Sequence, residues 1–272
     1  MSLNADAIRR HLGDATAKLE TLEVFAEIES TNSYLMQQPG PREGHVRVAA
    51  TDNQTAGRGR HGRSWQSPAG SGLCLSLAYT FSSRPDNLPA MTLAVGLGVV
   101  NALQEHGVAG VQLKWPNDLV AMDSKLGGIL TEAQSQAGGT ITVVTGIGLN
   151  VDLGDHSQLK VEADWAQRVI DLKSFAGSVP DKNVLASSLV SRLCRLLPDY
   201  EAGGFEQFRE QWQRHDWLHG RTVTIESPKQ QITGVGTGIA EDGALLVDTG
   251  RAGIQRVSSG TVTRTEMAEL VT

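Results

Sequence analysis

The pattern of apolar and polar positions predicts a series of strands in the first 151 residues. Residues 72–81, with the sequence GLCLSLAYTF, alternate and end in β-favouring aromatic residues. Residues 111–134 predict two strands joined by a tight turn at AMDSK, and Pro116 argues against regular ladder pairing ahead of that turn. The remaining strands are predicted at 23–28, 45–54 and 139–151.

Helices are predicted where apolar residues recur with a helical period and where residues typical of helix ends flank them. Residues 88–107 predict a largely buried helix that ends at Gly107. Ser30 or Thr31 is placed to cap a short helix that carries Tyr34 and Leu35. Further helices are predicted at 4–20, with Asn4 as N-cap, at 181–198 and at 204–214, with Pro198, Gly203 and Gly204 between the last two.

From about residue 219 the pattern changes to short β-prone runs separated by turn residues. Asp242–Gly243 is a strong hairpin-turn signal within these runs. We therefore predict an α+β chain in two parts. A mixed, mainly antiparallel sheet with flanking helices spans residues 1–218, and a small all-β domain, a barrel, spans residues 219–272.

The composition of the chain argues against several classes of function. The chain has 272 residues, of which 40% are hydrophobic and 20% charged, and a net charge of −6, which argues against a protein that wraps nucleic acid. Cys74 and Cys194 lie in apolar stretches without metal-ligand spacing, as expected of buried thiols in a reducing compartment. With neither a signal-peptide pattern nor a membrane-spanning apolar stretch, we expect a cytoplasmic protein.

The segment AGRGRHGRSW, residues 56–65, joins two predicted strands and is unusual in an acidic protein. It combines glycines, which allow close backbone approach to a ligand, with Arg58, Arg60 and Arg63, which suit carboxylate or phosphate. The match to G-x-G-x-x-G is discarded because a strand follows rather than a helix. The segment fits an RNA-binding loop, a site for a phosphate-bearing small molecule, or a solvated turn.

Other candidate residues each have an ordinary structural explanation. Asn117 and Asp118 in KWPND are typical of a turn stabilised by its own side chains. Lys125 in KLGGIL, taken alone, is typical of a surface lysine, and Asn150 after GIGL is typical of a strand end. Their order along the chain carries more information than any one of them.

That order, ESTN, QTAGRGRHGRSW, KWPND, KLGGIL and GIGLN over residues 27–151, resembles the biotin protein ligases, the biotin–carboxyl carrier ligases of bacteria. The resemblance implies a class II synthetase-like catalytic domain, with residues 1–27 as an N-terminal connector, and an SH3-like C-terminal barrel. It implies that biotin and ATP form biotinyl-5′-adenylate, and that the biotinyl group passes to one lysine of a biotin carboxyl carrier protein. Mg²⁺ is implied as the partner of ATP, with no metal ligands expected from the protein.

The reaction brings two anions together, so the site needs fixed positive charge. The candidate cations are Arg58, Arg60, Arg63, Lys114 and Lys125. The resemblance implies three catalytic residues: Lys125 at the biotin carboxylate and α-phosphate, Arg60 in the loop, and Asp118, which helps in the second step, where the carrier lysine must lose its proton.

The resemblance also implies two overlapping sets of binding residues. Those for biotin are Ser30, Thr31, Asn32, Gln54, Arg58, Gly59, Arg60, Lys125 and Gly128. Those for ATP are Arg58, Arg60, Arg63, Trp65, Lys114, Asn117 and Asn150. The Arg58–Arg60 stretch would fold over the ligand as a lid, and Trp65 would stack on adenine unless it is a core indole.

Two departures from the family pattern affect these expectations. His61 stands where the family often has a basic residue, so part of the charge of the loop depends on pH. SGTVTR, residues 259–264, replaces a more usual acidic turn and leaves the contribution of the C-terminal domain undecided. The residues ahead of the motifs are too few for the DNA-binding winged helix of some relatives, so we expect this chain not to bind DNA.

Three functions other than biotin ligation are alternatives for this sequence. A lipoate or octanoate ligase of related fold shares the chemistry and differs in its acyl substrate. An RNA-binding module would use the arginine loop and bind single strands without ATP. An inert scaffold is disfavoured because every charged candidate is retained. The sequence leaves both monomer and homodimer open.

Overall fold

The structure is a computed structural model and describes residues 2–85, 87–136, 139–154, 169–227 and 230–267. The strands are β1 Leu19–Phe25, β2 Val46–Thr51, β3 Gly72–Phe81, β4 Gln112–Lys114, β5 Asp118–Ala121, β6 Ser124–Ser135, β7 Ile141–Asn150, β8 Arg221–Glu226, β9 Gln231–Ile239, β10 Leu245–Asp248, β11 Ile254–Val257 and β12 Thr261–Met267. The α-helices are α1 Ala5–His11, α2 Thr31–Gln37, α3 Leu88–Glu105, α4 Leu172–Ala176, α5 Lys182–Gly203 and α6 Glu206–Gln213, and short 3₁₀ helices cover Gly13–Lys18, Arg60–Gly62 and Gly250–Ala252.

Seven strands form one mixed sheet in the order β1-β2-β3-β7-β6-β5-β4. β1 and β2 are parallel, and the other neighbouring pairs in the described sheet are antiparallel, which confirms the predicted mainly antiparallel character. Because β2 pairs with β3, the arginine-rich segment joins two adjacent strands, as predicted. The strand predicted at 72–81 is confirmed with the same bounds.

The two faces of this sheet carry different residues, and β3 shows the division. Leu73, Leu75 and Leu77 point into the core that the sheet forms with α3 and α5. Cys74 and Ser76 point to the opposite face, where α2 packs. The strand period of two therefore separates a hydrophobic core on one face from a polar pocket on the other.

The segment predicted as two strands between residues 111 and 134 contains three. A turn at Trp115–Asn117 separates β4 from β5, and Pro116, which has no N–H to donate, lies in it. The predicted tight turn at AMDSK is confirmed, and both Met122 and Asp123 have positive φ there.

The prediction that Pro198 ends a helix is wrong, because α5 continues through it to Gly203. A proline inside a helix deprives the carbonyl four residues earlier of its donor, here the carbonyl of Cys194. The Nζ of Lys18 donates to that carbonyl at 3.0 Å. A side chain distant in sequence thus satisfies the group that Pro198 leaves unpaired.

The C-terminal part is a five-stranded antiparallel sheet in the order β11-β10-β9-β8-β12. The hairpin turn predicted at Asp242–Gly243 is confirmed, with the N–H of Gly243 donating to Ala240 at 2.9 Å. β11 and β12 lie at opposite edges, and no pairing between them closes a barrel within the described residues. Among those residues, no helix is long and apolar enough to cross a membrane.

The Lys18–Cys194 contact predicts a measurable effect on stability. Lys18→Met should lower the free energy of unfolding by about 1 kcal/mol, because the Cys194 carbonyl loses its donor. Denaturant titration measures this change. Lys173→Met is the matched control: its ammonium is in an exposed ion pair with Asp152 and should contribute little. Equal changes in the two variants would contradict the role of Lys18.

Candidate active site

A pocket opens on the face of the large sheet that carries α2, with about 1230 Å³ of space including its open mouth. The pocket has room above the sheet because small residues occupy this face of β7. Gly146 and Gly148 line the pocket, whereas Ile147 and Leu149 between and beside them are buried. The alternation in GIGLN thus gives the pocket room on one face and anchors the strand in the core on the other.

Two glycines of the floor are in such close contact with other side chains that a methyl group would not fit. A Cβ on Gly148 would lie 2.5 Å from Cε2 of Trp65, so the indole rests directly on the strand. A Cβ on Gly146 would lie 2.3 Å from Oδ1 of Asn32. Trp65 therefore forms part of the pocket surface and is not enclosed in the hydrophobic core.

A buried carboxylate between two lysines forms the charged centre of the pocket. The Oδ1 of Asp118 is 2.8 Å from the Nζ of Lys125, and its Oδ2 is 3.3 Å from the Nζ of Lys114. Burial by itself would raise the pKa of Asp118, but the two ammonium groups outweigh it and lower the pKa to about 2. Burial lowers the pKa of Lys114 to about 8, a fall that Asp118 limits.

The β5–β6 hairpin brings Asp118 and Lys125 together. Its turn is held by Asp123, whose Oδ1 accepts hydrogen bonds at 2.8 Å from Nε1 of Trp217 and at 2.8 Å from Nη2 of Arg221. The backbone carbonyl of Lys125 accepts from Nδ2 of Asn150 at 3.3 Å. Residues from the end of β7 and from the C-terminal part thus fix the hairpin that carries the catalytic candidates.

Asn117 has a similar role in the same hairpin. Its Nδ2 donates to the carbonyl of Ile129 at 2.8 Å, and its own carbonyl accepts from the N–H of Ile129 at 2.9 Å. Asn117 and Asn150, both predicted to face the nucleotide, line the pocket and also hold its strands in place.

The arginine-rich segment folds back on itself as a small hairpin over the pocket. The N–H of Gly59 donates to Arg63 at 2.7 Å, and the N–H of Trp65 donates to Gly57 at 2.9 Å. His61 lies at the tip with a φ of 56°. This shape directs the segment toward the pocket rather than along the sheet.

The charges of the segment differ in their dependence on pH. Partial burial and the guanidinium groups of Arg60 and Arg63 lower the pKa of His61 below its ordinary value of 6.5, which favours the neutral imidazole near pH 7. Burial also lowers the pKa of Arg60, which Asp118 counteracts, but an arginine keeps its charge at any physiological pH. The positive charge of the loop near neutrality therefore comes from its arginines.

At the other end of the pocket, neutral polar groups form a chain of hydrogen bonds. The Oε1 of Gln54 accepts from the N–H of Thr31 at 2.8 Å and from its hydroxyl at 3.1 Å. The Thr31 hydroxyl is 2.7 Å from that of Ser76, which donates to Oδ1 of Asn32 at 2.7 Å. Ser30 caps α2, accepting from the N–H of Ser33 at 3.3 Å, which confirms the predicted cap.

The structure brings every residue that the sequence nominated into this one pocket: Ser30, Thr31, Asn32, Gln54, Arg58, Gly59, Arg60, Arg63, Trp65, Lys114, Asn117, Asp118, Lys125, Gly128 and Asn150. Their separate roles toward biotin and ATP remain predictions. Sequence reasoning missed Ser76, the wall formed by residues 260–262 of the C-terminal part, and Glu132 at the pocket edge. Glu132 follows Gly128 and Leu130 at strand spacing, a signal that places all three on one face.

The pocket is strongly cationic and offers no metal cage. Five cationic side chains line it, from Arg58, Arg60, Arg63, Lys114 and Lys125, against the carboxylate of Glu132 at its edge and that of Asp118 within it. Both oxygens of the Asp118 carboxylate are already paired with ammonium groups. Across the described ranges, no group of three His, Cys, Asp or Glu residues could hold a metal ion. A divalent ion at this site would take its ligands mainly from a bound phosphate group.

Comparison with known proteins decides the family. A model described as the biotin/lipoate A/B protein ligase family matches residues 24–152, and one described as the biotin protein ligase C terminal domain matches residues 218–263. The bifunctional ligase/repressor BirA of Salmonella typhimurium is 33% identical, over 90% of this chain and 73% of that relative. The biotin–[acetyl-CoA-carboxylase] ligase of Mycobacterium tuberculosis is 32% identical, over 91% of both.

The chain belongs to the biotin protein ligase family. The solved structure of the Aquifex aeolicus biotin protein ligase in complex with biotin and ATP has the same fold. It superposes with a TM-score of 0.75 at 27% identity, over 92% of this chain and 100% of that one. Membership accounts for the order of the motifs, and the fold places them around one pocket.

The charged centre predicts how acid affects the stability of this ligase-family chain. Asp118→Asn should lower the free energy of unfolding by about 3 kcal/mol at pH 7, because it leaves two ammonium groups without their carboxylate. The pKa of Asp118 is about 2 in the folded chain against an ordinary 3.8. Its contribution is therefore full above about pH 4 and is lost as the pH falls toward 2.

Urea titrations between pH 7 and pH 2.5 test this prediction. The difference in free energy of unfolding between the wild type and Asp118→Asn should become smaller as the pH falls. Asp152→Asn is the control, because Asp152 forms an exposed pair with Lys173. A difference that stays constant across this range would contradict the assigned pKa.

Proposed function

We propose that this chain is an ATP-dependent biotin protein ligase, which makes biotinyl-5′-AMP and then transfers the biotinyl group to a lysine of a biotin carboxyl carrier protein. One observation carries the proposal: a single pocket joins a neutral polar end to a cationic end. Such a pocket suits a ligand with an uncharged ureido ring at one end and phosphates at the other. Family membership supports the same assignment.

In the first step a biotin carboxylate oxygen attacks the α-phosphorus of ATP, the bond to the bridging oxygen breaks, and pyrophosphate leaves. Both reactants are anions, so cations must offset their repulsion and the charge that develops in the transition state. Lys125 and Arg60 have this role, with Arg63 and Lys114 adding to the local field. A Mg²⁺ ion bound with ATP would supply positive charge to shield the leaving pyrophosphate, and it would be held mainly by the phosphates, because the described residues offer no group of three His, Cys, Asp or Glu ligands.

Asp118 acts mainly by position. A carboxylate whose pKa is about 2 accepts protons poorly near neutrality. It instead holds the Lys125 ammonium at 2.8 Å and keeps it directed into the pocket. In the second step the neutral carrier amine attacks the biotinyl carbonyl carbon, the bond from that carbon to the phosphate oxygen breaks, and AMP leaves. The negative charge of Asp118 stabilises the positive charge that develops on the attacking nitrogen until its proton passes to solvent.

The neutral end of the pocket is assigned to biotin and the aromatic surface to adenine. Thr31 and Gln54 offer polar atoms that are already oriented by their mutual hydrogen bonds. Gly128 leaves space beside Lys125 and Trp65, where a Cβ would lie 3.7 Å from Cε of Lys125 and 3.8 Å from the Trp65 ring. The exposed face of Trp65 is the platform for the base.

The proposal extends to the setting of the enzyme. Two free, buried cysteines fit the reducing cytoplasm, where carrier domains are modified. Residues 218–263 match the C-terminal domain of biotin protein ligases, which supports an SH3-like fold for the small sheet. Residues 260–262 of that sheet line the pocket, so the C-terminal part contributes to the site.

ATP–pyrophosphate exchange with Mg²⁺ tests the proposed function. Biotin, lipoate and octanoate are supplied in separate reactions, and exchange is expected with biotin alone. Exchange with lipoate or octanoate instead would support adenylate formation but would contradict the assignment of biotin as the substrate. Absence of exchange with all three acids would overturn the ligase assignment.

Lys125→Ala should slow exchange by on the order of 10²-fold or more, because it removes a charge directed at the transition state. The matched control is Lys173→Ala, which removes a lysine that is also paired with an aspartate but lies outside the pocket. Exchange near the wild-type rate in Lys125→Ala would refute the role assigned to Lys125.

A further inference from the structure

We infer that Glu132 is a positioning residue that fastens the arginine-rich loop to the biotin end of the pocket. The inference rests on the proposed function and extends it to a residue outside the family motifs quoted above. Glu132 lies on β6, two residues beyond Leu130, on the strand face that lines the pocket. It touches the loop on one side and the neutral polar chain on the other.

The contact with the loop is a two-pronged ion pair. The Nη2 of Arg58 donates to Oε1 of Glu132 at 2.7 Å, and its Nη1 donates to Oε2 at 3.1 Å. The same Nη1 also donates to the hydroxyl of Ser33 at 3.3 Å. Bidentate pairs of this kind fix orientation as well as distance. Arg58 is thereby tied to β6 and α2 at the base of the loop.

The contact with the biotin end passes through Asn32. The Nδ2 of Asn32 donates to Oε2 of Glu132 at 3.1 Å and to the carbonyl of Leu130 at 3.1 Å. The Oδ1 of Asn32 in turn accepts from Ser76, which contacts Thr31. One carboxylate therefore ends a continuous hydrogen-bonded chain that begins at the candidate ureido-binding groups.

This arrangement divides the arginines by role. The charge of Arg58, whose side chain is 45% exposed, is balanced by Glu132, which is 22% exposed, whereas Arg60 is near enough to Asp118 for that carboxylate to oppose the fall that burial causes in the pKa of Arg60. Arg58 is thus an anchor, and the charge that acts on the phosphates comes from Arg60, Arg63 and the two lysines. The loop closes over the adenylate from a fixed base, and the biotin-binding groups are held by the same carboxylate.

Glu132→Gln keeps the size of the side chain but replaces one acceptor by a donor that faces Arg58. Trypsin cleavage after Arg60 and Arg63 should become roughly tenfold faster, and bound adenylate should escape roughly tenfold faster, as expected for loss of one charge-assisted bond. In exchange assays KM for biotin should rise while kcat at saturating biotin changes little, a separation that general destabilisation would not produce.

The matched control is Glu206→Gln, which breaks a bidentate pair with Arg209 on α6, with both bonds at 2.7 Å. A double-mutant cycle with Arg58→Gln adds a second test. If the two residues act as a pair, Arg58→Gln combined with Glu132→Gln should open the loop no further than either change alone. If Glu132→Gln folds poorly, Arg58→Gln by itself tests the pair, because it removes the same two hydrogen bonds and should open the loop to the same extent.

Loop cleavage and adenylate escape in Glu132→Gln equal to those of Glu206→Gln would overturn the inference, and so would additive effects in the cycle. These outcomes are separable from failure of the proposed function, which would appear in the wild type as absence of biotin-dependent exchange.

Discussion

A carboxylate shared by two lysines is the interaction on which the pocket depends. Two ammonium groups so close together in a protein interior would repel each other and lose hydration without a counter-charge. Asp118 supplies that charge, and its two oxygens contact Lys114 on β4 and Lys125 on β6. The same contacts join three strands at the edge of the sheet. The two ion pairs therefore both hold the strands together and set the charge of the site.

The large sheet serves the core and the site with alternate residues of the same strands. Leucine and isoleucine on one face pack against α3 and α5, while glycine and serine on the other leave space above the sheet. Trp65 and Asn32 use this space and contact the backbone of β7 directly. In a chain with a net charge of −6, cations are concentrated where this space opens, which directs anionic ligands to one place.

Local signals allowed much of this to be predicted. Strand β3, the cap at Ser30 and the Asp242–Gly243 turn each depend on a few adjacent residues, and the motif order located every nominated pocket residue. Features that depend on distant residues were not predicted. Pro198 lies inside α5, and Lys18, distant in sequence, donates to the carbonyl that it leaves unpaired. Glu132 binds Arg58 and Asn32, which are distant from it in sequence, so no local pattern indicates this role.

We propose that one adenylate occupies both ends of this pocket. The most direct measurement is to mix the chain with biotin and MgATP in the absence of carrier protein and identify the bound product by mass spectrometry. We expect biotinyl-5′-AMP bound in an amount stoichiometric with the chain. A chain that retains no adenylate under these conditions, or that forms one only from lipoate or octanoate, would contradict this proposal.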